Sequence, residues 1–335
     1  MKPRMSFGRS ARNPEEAGDG DRGLDRDELT VAEGEPGISA AEDFPRPADS
    51  APVRPDLGPP APGPRPSNQP GSGLGLVISV AVAAIVFVLS IYATGSPTDN
   101  PLPLAQTTNA LFWIVAVVAT AIAGAGAEYA DRTASRAQER EAGGISATAW
   151  IVPTVATAAA IVLVATFHNT TMIVAGPLIA FLGNAGALLS RDLLDDADDT
   201  AQRTASTVHT LVIHIVALIA LTAIYLNKLP ALLTALLVGV VAAVLTIEVI
   251  DRTPLDPGHK LLLASLAGGI LAASSVPLLW WLTHGLTGGA VLYVVFYLVA
   301  GVLQTGIIRR GFRPADAIWY GAVPFGAFIL LAVTA

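Results

Sequence analysis

The sequence predicts an all-α polytopic transmembrane helical bundle with about nine spanning helices. Three observations carry that prediction. Of 335 residues, 52% are hydrophobic and only 14% are charged, against about 25% charged in ordinary soluble domains. The apolar residues fall in blocks near the ~20 residues that one helix needs to cross a bilayer, not in an amphipathic stripe or a two-residue alternation. Beyond residue 72, ten of the eleven Lys and Arg residues gather in alternate connections, the charge bias of a multi-pass chain.

Residues 1–72 read as a disordered, Pro-rich cytosolic tail. They hold 13 of the 24 prolines, 9 basic and 13 acidic residues, too little apolar surface to offset the entropy of ordering. No apolar core follows the first basic residues, so this is not a signal peptide. Such an arm suits docking of a cytosolic partner.

Residues 73–335 read as the multi-pass domain. Its predicted spans are Leu74–Ala93, Thr107–Ala127, Ala147–Phe167, Thr170–Leu189, Thr207–Leu226, Leu229–Val249, Lys260–Leu282, Leu286–Ile308 and Ala315–Val333. "HNT" at His168, "NK" at Asn227 and "HG" at His284 are tight turns between antiparallel neighbours.

Arg132, Arg136, Arg140, Arg191, Arg203, Arg252, Lys260, Arg309, Arg310 and Arg313 follow the second, fourth, sixth and eighth spans, and Lys228 alone lies opposite. Positive loops stay inside, which places the amino terminus in the cytosol, the carboxyl terminus outside, and the chain in the cytoplasmic membrane. Trp280, Trp281, Tyr92 and Tyr225 then mark outer ends, and Trp150, Trp319, Tyr320 and Tyr129 inner ones, as interfacial anchors.

Two exits to the cytosol echo each other. "EYADRT" (Glu128 to Thr133) leaves the second span and "EVIDRT" (Glu248 to Thr253) leaves the sixth. His168 with His284, and Arg191 with Arg309, recur at a similar interval. The simplest account is two parallel four-helix repeats after one extra helix.

Candidate binding residues are Glu128, Asp131, Glu248 and Asp251, because Glu and Asp three apart share one helix face. His214, about two turns inside the fifth span, is a further candidate by its depth. The run "RDLLDDADDTAQR" from Arg191 reads as a solvated connector. "SLAGGILAASSVP" (Ser265 to Pro277) suits either a cavity lined by freed carbonyls or close packing through small residues. With no cysteine, disulfides, iron–sulfur clusters and thiolate zinc sites are excluded. The basic residues lack aromatic interleaving, so nucleic acid is not implied.

The span number, the cytosolic amino terminus and the two acidic exits resemble the intramembrane aromatic prenyltransferase superfamily of the ubiquinone-biosynthesis type. That resemblance implies magnesium holding a prenyl diphosphate at an Asn-Asp-x-x-Asp-x-x-x-Asp signature and an Asp-x-x-x-Asp signature. "AEYADRTAS" (Ala127 to Ser135) aligns with the first and keeps Asp131. Glu128 stands where an Asp is expected, Ala127 replaces the Asn, and Ser135 replaces the last Asp. At the second place Glu248 and Asp251 are three apart instead of four. A metal site that has lost several carboxylates holds magnesium diphosphate poorly. The sequence therefore favours a non-catalytic membrane protein without cofactor, serving transport, solute or lipid binding, or scaffolding in the lipid bilayer. A prenyltransferase-like enzyme using magnesium is the alternative.

Overall fold

The computed structural model of the chain describes residues 70–93, 110–133, 148–167, 169–196, 202–251, 253, 255–280 and 286–309, with isolated positions 321, 322 and 326. The expected tail up to residue 69 and all but those three positions of the expected ninth span lie outside the described residues, as do His168, His284, Trp281, Trp319 and Tyr320.

Among the described residues eight helices follow in order: α1 Pro70–Ala93, α2 Ala110–Thr133, α3 Ile151–Thr166, α4 Thr170–Asp196, α5 Gln202–Leu226, α6 Ala231–Ile250, α7 Pro257–Trp280 and α8 Thr287–Arg309. There is no strand among the described residues. Seven helices are long and apolar enough to cross a membrane; α3 is the shorter one. Each coincides with one of the first eight expected spans, since an uninterrupted apolar run leaves the backbone no partner but its own helix.

The ends differ in instructive ways. α1 begins four residues early, at Pro70, whose missing N–H costs nothing in a first turn. α2 runs on to Thr133 and α4 to Asp196, so the acidic exit and part of the expected acidic connector are helical.

At 16 residues, α3 is about 24 Å long at 1.5 Å per residue. Thirteen of those residues are buried, and α1, α2, α4, α5 and α6 all pack on it. Ala156, Ala159, Ala160 and Ala165 let five neighbours approach this axis closely. Two apolar cores share it. Val82, Val86, Phe112 and Ala119 meet Ala160, Ile161 and Val164 on one side. Ile213, Leu221, Leu245, Leu271, Leu292 and Phe296 fill the other with Ile151 and Val155.

The expected repeat pairs α3 with α7, whose described surroundings differ. α7, the counterpart of α3 under that scheme, packs chiefly on α6 and α8 and leaves Leu261, Leu262, Leu266 and Ile270 exposed. The small residues of α7 serve its crossing with α6. A methyl at Gly268 would collide with the Gly239 carbonyl, and one at Gly239 would crowd the Gly268 carbonyl. The helix continues through Pro277, while Ser274 donates to Ile270 O and Ser275 to Ala272 O.

Among the expected anchors, Trp280, Tyr92, Tyr129 and Trp150 are exposed, but Tyr225 is buried and donates its hydroxyl to Leu278 O at 3.0 Å. Tyr225 ties α5 to α7; it is not an anchor. The α5–α6 turn is as tight as expected, with Lys228 in the left-handed region at φ 41°.

Candidate functional site

The last two turns of α2 carry two carboxylates that part company. Glu128 takes Arg132, one turn on, through an Nε–Oε1 contact of 2.9 Å. Asp131 instead lies 3.8 Å from Arg191 Nη1 of α4.

Arg191 is the centre of a buried polar knot. Its Nε donates to Glu248 Oε1 at 3.0 Å, and Nη2 reaches Oε1 at 2.7 Å and Oε2 at 2.9 Å. Nη2 also donates to Thr148 Oγ1 at 2.5 Å. The Thr148 hydroxyl passes its own proton to Asp251 Oδ2 at 2.9 Å. On the far side of Glu248, His209 of α5 places Nε2 3.2 Å from Oε1, while its Nδ1 is 2.9 Å from Ser190 Oγ. Lys260 of α7 binds the Asp251 backbone carbonyl and lies 4.0 Å from its Oδ1.

Two permanent cations and one imidazole thus serve three carboxylates, from α2, α4, α5, α6, α7 and the residue Thr148 before α3. A planar guanidinium matches a carboxylate with two parallel bonds. Burial is affordable only because nearly every acceptor has a donor.

The two acidic exits do converge, but on Arg191. Asp131, Glu248 and Asp251 belong to the knot; Glu128 does not. Asp251 and Glu248 are buried and their oxygens engaged, and no group of three or more His, Asp or Glu among the described residues is arranged to hold a metal ion. To take magnesium, the carboxylates would first have to release an arginine.

His214 lies elsewhere. Its Nδ1 donates to Thr210 O at 2.7 Å, and its ring sits among Tyr293, Phe296 and Tyr297 of α8 with centroids 5.5–6.2 Å away. It packs α5 onto α8. At mid-depth, Asn184 donates to Thr157 Oγ1 at 2.9 Å and to Ala180 O at 2.7 Å, joining α4 to the central helix.

Glu128 faces a groove of about 670 Å³ between α2 and α3, lined by Trp113, Ala116, Val117, Thr120, Ala121, Gly124, Ala125, Trp150, Thr154, Ala158, Ile161 and Val162. From Trp113 to Glu128 it follows α2 for about 22 Å at 1.5 Å per residue. Val117, Ala121 and Ala125 are exposed along its open flank. Gly124 sets the spacing, since a methyl there would strike Thr154 Oγ1. Glu128 Oε2 is buried, with no hydrogen-bond partner.

Just beyond the knot, Asp256 caps α7. Its Oδ2 accepts from His259 Nδ1 at 2.9 Å and from the His259 backbone N–H at 3.1 Å. The ring contact first, and the backbone N–H second, hold this carboxyl below its ordinary value.

Sequence reasoning missed Arg191 as a site residue. Arg191 counts toward topology like any loop arginine, yet it sits inside a helix directly after the run "GALLS". An arginine there, with acids at two other helix exits, is the signal that could have found it.

The described helices, seven of them long and apolar enough to cross a membrane, fit a multi-pass membrane protein: an apolar helical bundle with a buried cluster of ionisable groups at one end. Its place among known proteins follows from a family model. The chain belongs to the DUF5656 family, described as a protein of unknown function, whose family model matches residues 86–334. Neither a curated protein nor a solved structure matches the chain.

Proposed function

We propose that the protein is a non-catalytic binder of a membrane-borne apolar molecule, held in the groove between α2 and α3. The observation that carries this reading is the groove itself. Its volume lies within the ~300–1,000 Å³ of small-molecule sites, its walls are almost wholly apolar, and its open flank faces where lipid would lie. Its length is about three quarters of a ~30 Å hydrocarbon core. The saturation of Asp131, Glu248 and Asp251 by Arg191, Thr148 and Lys260 favours this over magnesium-dependent prenyl transfer. The knot acts as a clamp at the helix ends.

The membrane is the cytoplasmic one, with the amino-terminal tail in the cytosol and free to meet a partner there; the distribution of Lys and Arg supports this orientation. The chain has no cysteine, so single cysteines report topology cleanly. Arg132→Cys should react with an impermeant maleimide only from the inside, and Lys228→Cys only from the outside.

The groove is tested with an alkyl diazirine probe on the full chain in detergent. Photolabelling should map to α2 and α3 and be lost in Ala121→Trp, which fills the groove from its open flank. Label spread evenly over all exposed helices would overturn the reading.

A further inference from the structure

The stripe of α2 that lines the groove does not stop at Glu128. Val117, Ala121, Gly124 and Glu128 succeed one another at helical spacing, and Asp131 and Arg132 come next on that face. Asp131 turns to Arg191, which leaves Arg132 over the mouth of the groove, one turn past its last lining residue. Its side chain is 60% exposed. Glu128 holds it there: Oε1 accepts the Nε–H at 2.9 Å, while Oε2 is buried and closed to the groove. Nη1 and Nη2 of Arg132 donate to no acceptor among the described residues, so both remain for a partner. The mouth therefore presents a cation with unspent donors to whatever lies in the groove.

Resting on the groove reading above, we propose that the ligand is an anionic phospholipid from the leaflet at that end, its phosphate on Nη1 and Nη2 of Arg132 and one acyl chain running toward Trp113. A planar guanidinium meets two phosphate oxygens at once. Arg132 lies about 6 Å beyond Glu128 along α2, where the apolar walls end and headgroups begin. A zwitterionic head brings an ammonium as well, and no described carboxylate turns toward it: Glu128 holds Arg132 and is otherwise closed, and Asp131 faces Arg191. Charge complementarity at the mouth thus selects a head of net negative charge.

The experiment uses the purified full chain in detergent and follows quenching of Trp113 and Trp150 fluorescence by tail-brominated lipids. The signal from these two rings is isolated by comparison with a Trp113→Phe/Trp150→Phe variant. The probes share their tails and differ in head: phosphatidylglycerol, phosphatidylethanolamine and phosphatidylcholine. Phosphatidylglycerol should bind about tenfold more tightly than the other two, and Arg132→Gln should erase the difference. Arg132→Lys should restore it only in part, because an ammonium cannot fork onto two oxygens. Glu128→Gln keeps an acceptor for Nε and removes a negative charge, so it should widen the preference.

If no probe quenches these tryptophans, the groove reading itself falls. If all three quench alike, the groove reading survives and the anionic assignment is overturned. A preference for phosphatidylglycerol that persists in Arg132→Gln also overturns it, as does one at full strength in Ala121→Leu, which narrows the groove. Inorganic phosphate should not displace the lipid; displacement would make this a site for a free anion and overturn the lipid assignment. Because Glu128→Gln acts in the opposite direction to Arg132→Gln, general unfolding cannot mimic the expected pair of results.

Discussion

Arg191 of α4 and Glu248 of α6, 57 positions apart, form a bidentate ion pair with side chains only 8% and 1% exposed. Around it the ends of α2, α5, α6 and α7 are drawn together. Removing one partner leaves a buried charge without compensation, which costs about 3–5 kcal/mol. Glu248→Gln and Arg191→Met should each lower stability by that order in a detergent unfolding titration. Arg191→Lys should rescue little, because an ammonium cannot span two carboxylate oxygens and Thr148 in one plane. The double variant Arg191→Met/Glu248→Leu should be less destabilised than the sum of the singles. Additive losses would show that the pair is not coupled.

The spans were legible because composition and block length dictate them, and eight of the nine expected segments appear as helices. The acidic exits were legible as motifs, but not as a site. Sequence spacing puts Glu128 and Asp131 on one face of α2, yet a small angular difference sends one into the groove and the other to Arg191. The position of Arg191 inside a helix was a legible signal, but its pairing with Glu248, 57 positions away, is supplied by tertiary packing. Tyr225 shows the same limit. An aromatic near a helix end reads as an anchor unless the chain shows that α8 offers glycines for its ring.

Those glycines give the second prediction. A side chain at Gly288 would overlap the Tyr225 ring, and Gly289 lies against the Thr222 backbone. Tyr225→Phe removes the hydroxyl with its bond to Leu278 O, worth about 0.5–1.5 kcal/mol. Gly288→Val must displace the ring from a filled space and should cost about 1–3 kcal/mol. Equal effects in thermal unfolding would mean that the ring is not held by α8.

The α6–α7 crossing supplies a third. Gly239 and Gly268 each present a carbonyl to the other's missing side chain, so neither helix can retreat without separating the pair. Gly268→Leu should force α7 outward and cost about 1–3 kcal/mol. Thermal unfolding of the purified chain in detergent should show this loss. Gly269→Ala, which meets open space, is the control. It should be neutral or stabilising by up to ~1 kcal/mol through helix propensity.

The cap of α7 titrates. Asp256 has its carboxyl held below the ordinary value of 3.8 by the His259 ring and backbone N–H. A carboxyl depressed in the folded state contributes stability above its unfolded pKa, and that contribution is lost as pH falls through the folded value. Protection of the His259 amide from hydrogen exchange, corrected for intrinsic rates, should therefore stay level down to about pH 4 and collapse below it. Asp256→Asn keeps a good capping oxygen without a titrating group, so its protection should no longer depend on pH in that range. Asp256→Ala should lose protection at every pH. A pH step that persists in Asp256→Asn would assign the transition to another group and sink the capping account.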